Sequence, residues 1–227
     1  GRTQIAVLDK TGTITTGEPV VTDVLPAQGV TAEELLTLAC ALEKKSEHPL
    51  AKAILKQAEA AQIAAPEVSD FQALSGSGLK ATLDGKVLSG GNYKFLSTQA
   101  RVPSAVKAQS EQLAQQGKTP LFFSRDGQLL GIIAVQDPLK PESTGAIAQL
   151  KQLGVRVVML TGDNEKTARA IGSEAGVDQV IAGVLPQGKE QVVRELQQVG
   201  QVLMVGDGIN DAPALTRADI GMAIGAG

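Results

Sequence analysis

Three short apolar runs constrain this chain more than anything else in it. Gln4-Ile5-Ala6-Val7-Leu8 stops at Asp9. Val155-Arg156-Val157-Val158-Met159-Leu160 runs into Thr161-Gly162-Asp163, and Gln201-Val202-Leu203-Met204-Val205 runs into Gly206-Asp207-Gly208. Runs of this length without polar alternation suit strands buried on both faces, as in a parallel sheet. Helical patterns flank the last two: Glu165 to Ala175, stopped by Gly176, and Lys189 to Val199, followed by Gly200. Strand and helix in alternation predict an α/β fold with a doubly wound parallel sheet.

The stretch 22–134 carries a different pattern. Thr31-x-x-Glu34 forms a capping box, after which Leu35, Leu38, Ala39 and Leu42 recur at helical spacing. Pro49 opens a second helix to about Ala61. Short strands follow at 79–83 and 86–89 around Asp84-Gly85, then a helix at about 103–116, then a hairpin of 121–124 and 129–135 turning at Arg125-Asp126-Gly127. The expectation is an α+β module with an antiparallel sheet, inserted into a domain made of 1–21 and 135–227 and joined to it by two strands near 20–24 and 132–137.

Composition narrows the possible functions. Of 227 residues 43% are apolar, enough for a sizeable core, and the net charge of −3 provides no basic field for nucleic acid or an anionic membrane. Aromatic residues make up 2% with no Trp, which argues against a base-stacking platform. The single cysteine, Cys40, excludes an internal disulfide framework and a Cys-rich metal site, and it reads as a small buried hydrophobe. No apolar run approaches the ~18 residues of a spanning helix.

In open α/β sheets the site lies outside the carboxyl ends of the strands. Here that edge carries three acidic loops, beginning at Asp9, Asp163 and Asp207. One such Asp is commonly a turn or helix cap; three in Gly-rich loops argue for chemistry. A strand-end carboxylate can attack phosphorus once charge is screened by Mg²⁺, a cation and hydroxyl donors. Asp207 would be the second carboxylate for a hard ion, Lys189 the cation, and Thr161 with the Gly162 N–H the neutral donors.

The run Asp9-Lys10-Thr11-Gly12-Thr13-Ile14-Thr15 resembles the phosphorylation signature of P-type ATPases, within the haloacid-dehalogenase-like superfamily. Asp137-Pro138-Leu139-Lys140, Thr161-Gly162-Asp163, Lys189 and Gly206-Asp207-Gly208-Ile209-Asn210-Asp211 follow in the family's order, and Ile14 replaces the usual Leu. The resemblance implies that Asp9 forms an aspartyl phosphate, with Lys10 and Asp163 in the catalytic set. It implies that Asp9, Asp207 and the Thr11 carbonyl hold Mg²⁺, and that Thr161, Gly162 and Lys189 hold the phosphoryl oxygens. Asp211 would orient the metal shell and Asn210 the phosphate, while Asp137 and Lys140 would stand on the hinge side of the nucleotide path. Phosphatases of the superfamily usually place a second Asp two residues after the first, to serve as general acid and base. Thr11 occupies that position, so the phosphoaspartate should outlive the chemical step.

Within the inserted module, Ser46-Glu47-His48-Pro49 resembles the His-Pro motif of the heavy-metal-transporting subclass, Ser75-Gly76-Ser77-Gly78 its Gly-x-Gly loop, and Gly91-Asn92 its Gly-Asn pair. His48, the only histidine, reads by itself as a surface or capping imidazole. The resemblance implies instead an ATP site of Glu43, His48, Gly76, Gly78, Leu79, Gly91 and Asn92. It further implies a soluble, monomeric region on the cytoplasmic side of a membrane, with actuator and transmembrane domains elsewhere in the protein. The cargo expected is Cu⁺, with Zn²⁺, Cd²⁺ or Pb²⁺ as alternatives; a metallochaperone is a possible partner of the full protein, and nucleic acid is not expected. Two rivals stand beside this reading: a free phosphatase with 22–134 as its cap, and a non-catalytic nucleotide-sensing module.

Overall fold

The computed structural model describes residues 2–74, 78–206 and 211–223. The chain opens with β1 (Gln4–Asp9). It continues through β2 (Val20–Pro26), α1 (Ala32–Glu43), α2 (Pro49–Ala60), β3 (Ser69–Leu74), β4 (Gly78–Leu83), β5 (Lys86–Gly91), α3 (Tyr93–Gln99), α4 (Ser104–Gln115), β6 (Thr119–Arg125) and β7 (Gln128–Gln136). It then runs through α5 (Ser143–Gln152), β8 (Arg156–Leu160), α6 (Glu165–Ala175), β9 (Gln179–Ile181), α7 (Lys189–Gln197), β10 (Gln201–Gly206), α8 (Ala212–Arg217) and β11 (Ile220–Ala223). Two compact units result. One comprises Gly1–Glu18, Gln115–Gly117 and Asp137–Gly227; the other comprises Pro19–Ala114 and Lys118–Gln136.

The first unit is built on a five-stranded sheet in the order β11-β10-β1-β8-β9. Every pairing in it is parallel. Adjacent residues of β1 point to opposite faces, and both faces are covered. Ala6 and Leu8 pack with Ile147 of α5 and Ala168 and Ile171 of α6. Ile5 and Val7 pack with Val193 of α7 and Ala214 of α8. Double coverage is the reason the strand reads as an unbroken apolar run. The expected α6 ends where predicted: Asn164 caps its start by accepting from the Thr167 amide, and Gly176 closes it in the left-handed region at φ 86°.

The second unit is a six-stranded antiparallel sheet in the order β2-β7-β6-β5-β4-β3. Helices α1 and α2 cover one face through Leu35, Leu42 and Ile54. The other face holds Phe95 and Leu96 of α3 with Leu113 of α4. Thr31 accepts from the Glu34 amide at 3.0 Å, as the capping box predicts. Both predicted turns carry two successive positive φ angles, 51° and 76° at Asp84-Gly85 and 47° and 78° at Asp126-Gly127, the backbone of a type I′ hairpin. Six elements were not anticipated from sequence: α3, the edge strand β3, α5, the three-residue β9, α8 and β11. Among the described residues, no helix is long and apolar enough to cross a membrane.

Candidate active site

The sheet order places β1 between β10 and β8, and all three are parallel, so their carboxyl ends lie side by side at one edge. Register makes this quantitative: Leu8 stands opposite Val205, and Asp9 opposite Leu160. Asp9 therefore closes its strand level with the residue before Thr161 and just beyond the level of Val205.

Asp9 is 5% exposed. Lys189, the first residue of α7, donates from Nζ to Asp9 Oδ1 at 3.0 Å and to Asp211 Oδ1 at 2.7 Å. Asp211 is fully buried. One ammonium thus stands between two carboxylates withdrawn from water. The Asp9 carboxyl is raised to about 7: burial raises it most, Lys189 pulls it down and Asp211 pushes it up. The Lys189 ammonium is itself raised, because attraction to Asp9 and Asp211 outweighs the burial that opposes its charge.

The loop that follows Asp9 is a single wide turn, closed by the Thr15 amide donating to the Lys10 carbonyl at 2.9 Å. Gly12 holds it at φ 79°. The Lys10 side chain is buried and turns to Asp163 Oδ2 at 2.8 Å, joining the first acidic loop to the second. Thr161 is buried, and its hydroxyl accepts from the Asp163 amide at 3.1 Å. Gly162 follows it, and a Cβ there would lie 3.2 Å from the Val184 carbonyl. Thr11 is exposed at the loop's outer surface.

The structure thus brings Asp9, Lys189 and Asp211 into direct contact, ties Lys10 to Asp163, and places Thr161 and Gly162 on the same edge. Asp207 and Asn210 lie outside the described residues, as does Gly76 of the other unit. Two further residues belong here that the sequence did not single out. A side chain at Gly206 would run into the Asp211 carboxylate, so the position is kept empty for that group. The Thr13 hydroxyl is buried without a hydrogen-bond partner among the described residues, an unused donor four residues after Asp9. Both sit inside motifs already visible; which motif glycine faces a carboxylate, and which hydroxyl is left over, takes coordinates to see.

A spare buried hydroxyl and a lysine fit a phosphoryl group, and two buried carboxylates supply the hard oxygen donors that suit Mg²⁺. Among the described residues no set of three His, Cys, Asp or Glu gathers as a metal cluster.

In the other unit, Glu43 ends α1 and is 7% exposed. Its carboxyl has no hydrogen bond or ion pair among the described residues, and burial raises it to about 7. In the β4–β5 ladder Gly78 pairs with Gly91 and Leu79 with Gly90. A Cβ on Gly90 would lie 2.8 Å from Leu42, the residue before Glu43. The end of α1 and the glycine-rich ladder are therefore neighbours. Gly78 also has a packing reason to be glycine, since any side chain would meet the Phe95 ring. His48 caps α2, Nδ1 accepting from the Leu50 amide at 3.2 Å, which puts the neutral ring's proton on Nε2. Asn92 caps α3 by accepting from the Phe95 amide at 2.8 Å.

Comparison with known proteins gives a consistent result. The family model for haloacid dehalogenase-like hydrolases matches residues 3–219. Copper-transporting ATPase 2 of Rhizobium meliloti (strain 1021) is 44% identical over 224 residues, 98% of this chain and 27% of that protein. The copper-exporting P-type ATPase of Bacillus subtilis (strain 168) is 45% identical over 227 residues, all of this chain and 28% of that protein. The chain therefore spans little more than a quarter of these relatives. Among solved structures, a zinc-transporting PIB-type ATPase in the E2.Pi state matches with a TM-score of 0.67 and 42% identity, over 100% of this chain and 37% of that one. The catalytic domain of the CPx-ATPase CopB-B matches with a TM-score of 0.71 and 26% identity, over 97% and 80% respectively.

Proposed function

The chain belongs to the haloacid dehalogenase-like hydrolase family, and we propose that it is the ATP-binding and autophosphorylating region of a heavy-metal-transporting P-type ATPase. The observation that carries the reading is the Lys189 ammonium held between Asp9 and Asp211 at the carboxyl edge of a parallel sheet. Such a pair of carboxylates and one cation can turn a strand-end Asp into a nucleophile toward phosphate.

In this reading Asp9 attacks the γ-phosphorus of ATP. The new bond runs from its carboxylate oxygen to phosphorus, the bond to the β,γ-bridging oxygen breaks, and ADP leaves with the electron pair. Lys189 lies next to the attacking carboxylate and screens it from the incoming phosphate. Thr161, the Gly162 N–H and Thr13 are donors for the equatorial oxygens, and Lys10 is fixed by Asp163 rather than by Asp9. Asp9, Asp207 and the Thr11 carbonyl would hold Mg²⁺, with Asp211 behind them; Asn210 would meet the phosphate. Mg²⁺ supplies charge neutralisation for the transferred group. Thr11, exposed and unable to act as a base at neutral pH, leaves the aspartyl ester without a built-in hydrolase. That favours a pump over a phosphatase that uses 22–134 as a cap.

The unit carrying Glu43 and His48 would be the nucleotide-binding domain, and the unit carrying Asp9 the phosphorylation domain. Glu43 has an unpaired carboxyl for the adenine amine. His48 caps its own helix, and Leu79, Gly78, Gly91, Asn92 and Gly76 would complete the nucleotide site. The region would act within a longer protein, on the cytoplasmic side of its membrane, with actuator and transmembrane domains as its partners. A metallochaperone would serve the whole pump, and the isolated chain would be a monomer. Copper-transporting relatives at 44–45% identity support Cu⁺ as cargo. The zinc-transporting structure at 42% supports Zn²⁺ as the second choice.

Incubation with Mg²⁺ and γ-labelled ATP, acid quench and hydroxylamine treatment tests the reading. Acid-stable, hydroxylamine-labile label that is absent from Asp9→Asn is the expected result. Rapid turnover of small phosphate esters with no trapped label would return the chain to the phosphatases, and ATP binding with no label in any form would favour a sensing module.

A further inference from the structure

The nucleophile loop is fastened at its far end by a residue more than a hundred positions away. Thr15 is fully buried, and its hydroxyl has three polar neighbours: the Gly12 amide at 3.2 Å, the Lys10 carbonyl at 3.1 Å and Asp137 Oδ2 at 2.5 Å. A hydroxyl has one hydrogen to give. The carboxylate is the closer and the charged acceptor, so the hydrogen goes to Asp137. The Lys10 carbonyl is already served by the Thr15 amide at 2.9 Å. The hydroxyl oxygen is then turned to accept from Gly12, the residue at φ 79° that shapes the loop. The order is Gly12 amide to Thr15 hydroxyl to Asp137 carboxylate.

Asp137 is 8% exposed. Its remaining contacts are the Thr16 hydroxyl at 3.3 Å and the Gly17 amide at 2.9 Å. All three of its partners come from residues 15–17, the stretch that leaves the loop, and all are neutral donors. A buried carboxylate is costly unless hydrogen-bonded, so this one is retained against that cost by the outgoing chain alone. The surrounding backbone repeats the attachment. The Thr16 amide donates to the Pro138 carbonyl at 2.9 Å, and the Lys140 amide and Ser143 hydroxyl donate to the Ile14 carbonyl at 3.0 and 2.7 Å.

We infer that Asp137 is a positioning residue for phosphorylation: through the Thr15 hydroxyl it sets the Gly12 turn, and so the placement of Thr11 and Asp9 against the phosphoryl group. It touches neither nucleotide nor phosphate. The inference rests on Asp9 being the nucleophile. A loop displaced by about 1 Å can cost on the order of a hundredfold in rate.

The test uses the full chain in wild-type form and as Thr15→Ser, Thr15→Val, Asp137→Asn and the Thr15→Val/Asp137→Asn double variant. Phosphoenzyme formation is followed against ATP concentration, backbone amide exchange is followed in peptides covering 10–17, and melting temperature is recorded. Thr15→Ser keeps the hydroxyl and should label within about twofold of wild type. Thr15→Val and Asp137→Asn should each slow labelling at saturating ATP by roughly 10- to 100-fold. The half-saturating ATP concentration should not change, the double variant should be no slower than the worse single one, and exchange at 10–17 should quicken in all three. Wild-type rates in Thr15→Val would overturn the inference. So would a multiplicative loss in the double variant, a changed half-saturation, or a loss of label that simply follows melting temperature. If wild type itself gives no label, the functional reading has failed on its own. Exchange then decides: faster exchange at 10–17 with unchanged melting sustains the strut, and unchanged exchange removes it.

Discussion

Lys189 stands closer to Asp211 than to Asp9, at 2.7 Å against 3.0 Å. The fully buried carboxylate thus holds the ammonium, and Asp9, the proposed nucleophile, receives it already oriented. Removing the ammonium leaves two carboxylates facing each other out of water. Lys189→Met should reduce phosphoenzyme at neutral pH by about 100-fold or more, the loss typical of one preorganised charge-stabilising donor. Adding Asp211→Asn should restore much of the lost melting temperature without restoring label, since it removes the repulsion but not the need for a cation at Asp9. Recovery of label in the double variant would show that Lys189 serves only to neutralise Asp211.

Gly206→Ala puts a methyl group against the Asp211 carboxylate. The carboxylate must move, and Lys189 moves with it. Phosphorylation should fall at least tenfold while ATP binding by the other unit is unchanged. Equilibrium titration with a fluorescent nucleotide beside the label assay separates the two, and a parallel loss of both would point to general unfolding.

His48 has one observed role, as the α2 cap, and one proposed, as an adenine contact, and one pair of substitutions can separate them. As the α2 cap it should cost about 1 kcal/mol when replaced by Ala and little when replaced by Asn, whose side chain also caps. As an adenine contact it should raise the half-saturating ATP concentration in both variants. Urea unfolding and the ATP dependence of labelling give the two readings. An Asn variant with wild-type ATP dependence would reduce His48 to its cap.

Glu43 makes the stability of its unit depend on pH. Its carboxyl is raised from the ordinary 4.5 to about 7 by burial, so the folded chain keeps a proton that the unfolded chain has lost. Stability is therefore undiminished below pH 4.5, falls between 4.5 and 7, and stays reduced above that. A shift of this size corresponds to about 3.5 kcal/mol at most, at about 1.4 kcal/mol per unit. Glu43→Gln should unfold at higher urea than wild type at pH 8 and at nearly the same urea at pH 4.5. A constant difference between the two proteins across that range would dissociate Glu43 from the effect.

What could be read from the sequence divides along physical lines. Strands β1, β8 and β10 were plain because both faces are buried and the pattern is continuous. Helix α1 was plain because the Thr31-x-x-Glu34 box opens it, and α6 because Gly176 stops it. Strand β3 was hidden because all but one of its residues is exposed and its register breaks between Ser69 and Gln72. Helix α3 was hidden because it spans only seven residues, too short for periodicity to show. In the site, Asp9, Lys189 and Asp211 could be named from motifs. That Lys189 bridges the two carboxylates, and that Lys10 turns away to Asp163, depends on side-chain direction, which no spacing rule encodes.

The sheet order also has a consequence in time. Gln4 pairs with Gln201, and Ile5 with Arg156, so β1 has no partner until about 150 further residues have been made. At synthesis rates of about 5–20 residues per second, β1 waits roughly 10–40 s for β10 while the whole antiparallel unit can form between them. Contacts this distant close slowly. Asp9 leaves the ribosome well before Lys189 and Asp211, which follow it by 180 and 202 residues. On the proposed reading, a nascent chain could therefore hold nucleotide long before Asp9 had the partners it needs for phosphorylation.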